Sequence, residues 1–409
     1  MYIGTLILYA CLFLTLYFEV FLLLSFLERR PGVKNARAPR HYPSVAMIVP
    51  CYNEERTVAG TIESLLALEY PAEKLSILVV NDGSSDTTGA IARGYAARDP
   101  RIVYIEKENG GKYTALNVGI AHTQADIVGC LDADSFVAPD ALLEAVKVFE
   151  DPTVMAITPA MKVSKPHSML EVMQAVEYTF GIFLKKMFDN LAAINVLPGP
   201  FSLYRREVFE RIGPFRHAYN TEDMEIAFRM HRHGLKIANA HTAIVYTTVP
   251  CTIPSLLRQR TRWSRGFLEN SRDYYYMYFN PRYGHFGVLV LPVALVAFFA
   301  GLYSAGFMLY KAVGYVATRV TDALATGIPP HLPAAHLDWY YLNTGMLTFL
   351  IITVLSMTLV AILLGSRIAA TRLTLKSFFA YFAFFGLLAP LWLARALFGA
   401  VLATQRVWR

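Results

Sequence analysis

The hardest constraint on this chain is a set of long apolar runs at its two ends. Residues 3–26 are almost wholly apolar, with Glu19 the one charge, and Glu28-Arg29-Arg30 follows. A helix of about 20 apolar residues crosses a bilayer. The run is longer than a signal peptide's apolar region and no charged segment precedes it, so it predicts a membrane helix. Three more candidates lie at 286–310, 341–364 and 378–401. The chain as a whole agrees: of 409 residues 55% are hydrophobic and only 17% charged, and the mean hydropathy is +0.37. Those values fit a membrane protein with a soluble part and not an ordinary soluble protein.

Basic residues orient the spans. Arg29, Arg30, Lys34, Arg37 and Arg40 follow the first, and Arg367, Arg372 and Lys376 separate the third from the fourth. The positive-inside rule then predicts a multi-pass cell-membrane protein with residues 27–285 in the cytoplasm. Arg406 and Arg409 fall outside by this count, as do Lys311 and Arg319 on an expected outer loop. A re-entrant or interfacial last segment would remove the first conflict. The net charge of +7 and pI of 9.1 fit a protein against anionic lipid. No motif for nucleic acid accompanies them, and none is expected as a partner. Cys11, Cys51, Cys130 and Cys251 are scattered, with no C-x-x-C, so neither zinc nor a disulfide framework is implied.

Between the spans the chain alternates short apolar runs with helical patterns. Strands are expected at 45–49, 75–80, 101–105 and 127–131, and helices at 59–68, 89–97 and 113–123. Such alternation predicts an α/β domain with a mostly parallel sheet and helices on both faces. Ligands of these sheets sit outside the carboxyl ends of the strands. Polar residues gather at those ends: Asn53-Glu54, Asn81-Asp82-Gly83-Ser84, and Asp132-Ala-Asp134. Two carboxylates one residue apart at a strand end suit a hard divalent cation, Mg²⁺ or Mn²⁺, completed by substrate phosphates. No G-x-G-x-x-G, P-loop or H-E-x-x-H is present, which removes dinucleotide, Walker-type and zinc-protease readings.

The remaining candidates each have a plain and a functional reading. Asp82 is a turn residue or an acceptor for the imide of a uracil ring. Asn109-Gly-Gly-Lys112 opens a helix, so its N–H groups and the ammonium can face phosphates; Lys112 as a surface lysine is the alternative. Thr221 is an N-cap candidate, with Glu222 and Asp223 favoured by the helix dipole; the functional alternative makes Asp223 a general base. Arg258, Arg260, Arg262 and Arg265 crowd 253–270, an amphipathic segment suited to the membrane surface. Within it Trp263 offers a flat face for a sugar and Arg262 a fork for a pyrophosphate. The run at 168–188 is either an interface helix or a core helix on the sheet.

Taken together, Pro50-x-Tyr52-Asn53-Glu54, Asn81-Asp82-Gly83-Ser84, Asp132-Ala-Asp134, Thr221-Glu222-Asp223 and Gln259-Arg-Thr-Arg262-Trp263 resemble the motif series of processive family-2 glycosyltransferases. These are the membrane synthases of cellulose, chitin, hyaluronan and poly-N-acetylglucosamine. The resemblance covers about 42–280 and implies a GT-A fold with a helical membrane domain of about four spans and amphipathic interface helices. It divides the chain into a first span (1–28), a cytoplasmic catalytic domain (42–250), interface helices (251–284) and a C-terminal membrane region (285–409). Gly199-Pro-Phe-Ser-Leu-Tyr204-Arg is similar to the acceptor-side segment of the chitin-oligomer and hyaluronan enzymes. The Thr-Glu-Asp triplet is instead the form of the cellulose and poly-N-acetylglucosamine enzymes.

The resemblance implies a role for each residue. Pro50, Tyr52, Asn53, Glu54 and Asp82 would cradle a UDP-sugar, with Lys112 near its phosphates. Asp132 would contact the nucleotide and Asp134, with Asp132, the divalent cation. Asp223 would be the base, beside Glu222. Gln259, Arg262 and Trp263 would line the meeting point of donor and growing glycan. An inverting, β-linking polymerase using UDP-N-acetylglucosamine and translocating its product is the expectation, with membrane lipid as its setting and a homo-oligomer or accessory subunit open. Two alternatives stand: a non-processive transferase moving one sugar to a polyprenyl phosphate or glycolipid, and an inactive membrane scaffold or channel.

Overall fold

The computed structural model describes residues 3–27, 39–327 and 345–402. Eight strands form one sheet: β1 (Val45–Cys51), β2 (Leu75–Asp82), β3 (Ile102–Lys107), β4 (Ile127–Cys130), β5 (Ser135–Val137), β6 (Val154–Val163), β7 (Ser202–Arg205) and β8 (Lys236–Thr247). Their spatial order is β3-β2-β1-β4-β7-β6-β8-β5. The first four are mutually parallel; β7 runs against both β4 and β6, β8 runs with β6, and β5 runs against β8. β1 is apolar on both faces because both are covered. Val45, Met47 and Val49 pack on one side, and Ala46 and Ile48 on the other.

The helices, in chain order, are α1 (Ile3–Leu27), α2 (Val58–Leu66), α3 (Thr88–Ala96), α4 (Lys112–Ala121), α5 (Ala141–Val148), α6 (Met169–Asn190), α7 (Arg206–Ile212), α8 (Glu222–Arg232), α9 (Ile253–Asp273), α10 (Leu291–Thr326), α11 (Met346–Ile368), α12 (Leu375–Ala380) and α13 (Gly386–Val401). The register pairs Cys51 with Asn81 and Ile48 with Cys130. That brings the turns after β1, β2 and β4 to a single edge of the sheet. The mixed half, β5 to β8, carries no comparable alternation in the sequence.

Among the described residues four helical runs are long and apolar enough to cross a membrane: Ile3–Leu27, Phe286–Thr326, Met346–Ile368 and Leu375–Val401. The second corrects the expectation of a span ending near 310. It continues as helix through Thr326, so Lys311 and Arg319 ride on helix rather than on a loop. Only Gly314 and no proline interrupts that stretch, and Gly327, with φ +69°, ends it in a left-handed cap. At 1.5 Å per residue its 41 residues reach about 60 Å, twice the hydrocarbon thickness. The expected start of the third span, 341–344, lies outside the described residues.

The two readings of 168–188 both hold for α6. Ser168 and Glu171 close its start as a capping box. One side packs on β6 while another meets α11 and α12. Phe183 and Met187 share a cluster with Leu22 of α1, and Met173 and Val176 share one with Ile362 and Tyr381. Gly365 of α11 lets the backbone carbonyl of Thr179 approach where a Cβ would not fit.

Candidate active site

A cleft of about 1440 Å³ opens at the sheet edge where β1, β2 and β4 end, closed on its far side by α9. Pro50, Tyr52, Asn53, Glu54, Asp82, Lys112, Asp132, Asp134, Glu222, Gln259 and Arg262 all line it. Segments some 200 residues apart in the chain therefore meet in one cavity.

Local hydrogen bonds explain the floor. Asn53 adopts φ +57°, its N–H donates to Ser84 Oγ at 3.0 Å, and Ser85 N–H donates to its Oδ1 at 2.9 Å. This clasp joins the turns after β1 and β2. Glu54 accepts from Thr57 Oγ1 at 2.7 Å, and burial raises its pKa, aided by Asp132 and Asp86. Asp82 is buried and accepts from Lys107 Nζ and from Gly110 and Gly111 N–H at 3.0 and 2.9 Å. Those amides were expected to face phosphates; they instead turn onto Asp82, because the carboxylate beneath them is the nearer anion. Lys112 does face the cleft, where it pairs with Asp132 and stands 3.6 Å from Glu222 Oε1. Burial opposes its charge, but Asp132 and Glu222 outweigh burial and hold the ammonium protonated. Gly199 makes this pair possible, since a Cβ there would fall on both Asp132 and Lys112.

Asp134 accepts from Ser135 Oγ at 3.0 Å and Thr248 Oγ1 at 3.3 Å. Burial, then repulsion from Asp132 and Glu54, pushes its pKa up to about 6. A divalent cation would relieve that crowding, and the hard carboxylate oxygens of Asp132 and Asp134 fit Mg²⁺ or Mn²⁺. Among the described residues no group of three or more His, Cys, Asp or Glu side chains converges. Any such ion would therefore draw its other ligands from substrate and water.

Asp223, half-buried, follows the cleft-lining Glu222 in the first turn of α8 and is not itself among the cleft-lining residues. Its Oδ1 accepts from Met224 N–H at 2.9 Å, and its carbonyl accepts from Leu197 N–H at 3.0 Å. Burial first, then Glu222, pushes its pKa up to about 6 against Lys112 and Arg262. Thr221 holds the N-cap position of α8, but its side chain does not cap. It donates to Ala218 O at 2.8 Å and accepts from Asn270 Nδ2 of α9 at 2.9 Å. Gly266 of α9 leaves room for its methyl group. The acidic triplet is thus latched to α9. Just before it, Ala218, Tyr219 and Asn220 all take left-handed backbone angles, and the Asn220 carbonyl accepts from Arg262 Nη1 at 2.7 Å.

The arginines of α9 do not share one face. Arg260 is 6% exposed, pairs with Glu177 of α6 at 2.9 Å, and lays its guanidinium 4.4 Å from the Trp263 ring centroid. Trp263 is not among the cleft-lining residues. Arg258, Arg262 and Arg265 do line the cleft, as does Arg395 of α13. Arg395 was missed; a charge inside an apolar run was the available signal.

Comparison with known proteins agrees with this geometry. Residues 46–213 match the family described as Glycosyl transferase family 2. Poly-beta-1,6-N-acetyl-D-glucosamine synthase of Staphylococcus aureus (strain COL) is 34% identical over 224 residues, 54% of each chain. The enzyme of that name from Staphylococcus epidermidis is 31% identical over 273 residues, 65% of this chain and 66% of its own. This chain thus spans about half the length of the first relative, 54%, and just under two thirds of the second, 66%. A mannosyltransferase from Pyrobaculum calidifontis, solved in complex with GDP-Man and Mn²⁺, superposes with a TM-score of 0.67 at 21% identity, over 98% of this chain and 99% of that one. The fold therefore extends through the membrane helices.

Proposed function

We propose, from the premise that residues 46–213 are a family-2 glycosyltransferase domain, that this membrane protein transfers N-acetylglucosamine from UDP-N-acetylglucosamine to a growing glycan with inversion. The likeness to the poly-N-acetylglucosamine synthases supports the sugar. The observation that carries the reading is the convergence in one cleft of Asp132, Asp134, Lys112, Glu222, Gln259 and Arg262. The basic flanks of the spans support a catalytic side that faces the cytoplasm. Repeated transfer and passage of the product across the bilayer complete the proposal.

In this reading Tyr52, Asn53, Glu54 and Asp82 cradle the nucleoside. Lys112 and Arg262 stand where charge builds on the departing diphosphate. Arg262 leaves the Asn220 carbonyl to do so. A divalent cation held by Asp132 and Asp134 would supply further neutralisation of that charge. Asp223 takes the acceptor hydroxyl's proton as that oxygen attacks the anomeric carbon opposite UDP. A pKa near 6 suits it: ionised at neutral pH, yet more basic than an ordinary aspartate.

The test uses purified full-length protein in lipid nanodiscs with a panel of UDP-sugars. UDP release and digestion of the product with linkage-specific hydrolases should identify a β-linked N-acetylglucosamine polymer. An α-linked product, or no UDP release with any donor, overturns the reading.

A further inference from the structure

A short span beside the cleft, residues 216–220, is clamped at both ends and strained in the middle. At one end Phe215 N–H donates to Asn117 Oδ1 at 2.9 Å, and Asn117 Nδ2 donates back to the Phe215 carbonyl at 2.9 Å. At the other, Thr221 is held by Asn270 of α9. Between these clasps Ala218, Tyr219 and Asn220 take φ of +38°, +59° and +58°. L-residues visit the left-handed region singly, and three in succession persist only where the surroundings over-determine them. The span contains no glycine to ease that conformation.

The contacts that hold it lie on the cleft. Asn220 N–H donates to the His217 carbonyl and Thr221 N–H to the Ala218 carbonyl, each at 3.0 Å. Arg272 Nη2 donates to the Tyr219 hydroxyl at 3.2 Å, and Arg262 Nη1 donates to the Asn220 carbonyl at 2.7 Å. The His217 ring packs edge-on against Tyr113, with centroids 5.5 Å apart. The span thus bridges α4 and α9, the two helices that carry Lys112 and Arg262. Tyr219 and Asn220 line the cleft together with Glu222. The short bond from Arg262 is a charged donor on a neutral carbonyl, and a diphosphate is the stronger acceptor for the same fork.

We propose that residues 216–220 form a flap that senses the donor: a diphosphate takes Arg262 from the Asn220 carbonyl, the strained turn relaxes, and Tyr219 and Asn220 leave the part of the cleft beside Glu222 that the acceptor has to enter. The inference rests on the transferase reading and adds a compulsory order to it, donor before acceptor. Strain supplies the direction of the change, since a turn cut loose from Arg262 leaves the left-handed region. The clasps at Phe215 and Thr221 confine the change to the residues between them.

The experiment uses the full-length protein in phosphatidylcholine nanodiscs. Hydrogen exchange of peptides covering 216–223 is read by mass spectrometry without ligand, with UDP and Mg²⁺, and with pyrophosphate and Mg²⁺; UDP affinity is measured by calorimetry. A bound ligand ordinarily slows exchange around its site. Here either ligand should speed it at least about threefold, because the Asn220 and Thr221 amides lose their partners. Arg262→Gln should exchange fast without ligand and show no further rise. Ala218→Gly, which adopts the turn without penalty, should slow exchange and weaken UDP binding about threefold. Ala218→Val, poorly suited to positive φ, should move both readouts the other way. A merely structural role for the turn would not give opposite signs. Unchanged or slower exchange with both ligands overturns the flap, as does a UDP affinity that both Ala218 variants weaken or leave unaltered. A rise with pyrophosphate but not with UDP keeps the flap and refutes the UDP-sugar reading.

Discussion

Asp223→Asn should make the protein more stable and nearly inactive. The folded protein holds the Asp223 carboxyl at about 6 against an ordinary 3.8, chiefly through burial and then Glu222. Ionised Asp223 is thus disfavoured by folding. The penalty is absent below the unfolded value, grows as pH rises between the two values, and is complete above about 6. The gap corresponds to about 3 kcal/mol, which is about 3–6 °C in Tm for a protein of this size. Asparagine keeps the shape and removes the charge. Thermal unfolding of wild type and variant at pH 7.5 should show the variant melting higher, with the difference falling to about half at pH 5. UDP release should drop about 10²–10⁴-fold, the usual cost of a missing base. A variant that melts lower, or a Tm difference that ignores pH, would refute the electrostatic reasoning. Retained turnover would refute the base.

Three further outcomes are expected. Gly199→Ala should displace Lys112 from Asp132 and lower kcat about 10–10³-fold with little change in Tm, measured by UDP release beside a thermal melt. Glu177→Gln strands the buried Arg260 guanidinium and should cost about 3–5 kcal/mol, read as a Tm drop in detergent; an unaltered Tm contradicts the pair's structural weight. Turnover of the wild type should rise about tenfold per pH unit up to about 6 and level above it, and this limb should be absent from the residual rate of Asp223→Asn.

The parallel half of the sheet was legible because its strands are short apolar runs bounded by turns, and because both faces are covered. Its register then brought Asn53, Asp82 and Asp132 to one edge, as strand ends must. The mixed half was not legible, since β7 is only four residues long and finds its place between β4 and β6 through tertiary pairing. The side-chain assignments split for a similar reason. Lys112 faces the cleft as expected, but the amides beside it serve Asp82, a competition between neighbours that spacing does not encode. Arg260 reads as one more surface cation until Glu177, 83 positions earlier, covers it. Thr221 looks like a cap, and only α9's proximity makes it a latch instead.

The helix α6 serves as a party wall between two rooms. Its side chains belong at once to the core beneath the sheet and to the cluster among the membrane helices, and no spacer separates the two. Among the described residues α6 therefore leaves no hinge between the soluble half and the membrane helices. The cleft is thereby tied to the membrane helices, and the two halves are expected to melt as one cooperative body. Motion during a cycle is then expected to be local, and the contact between Arg262 and the Asn220 carbonyl is the one that has to break for Arg262 to reach a diphosphate.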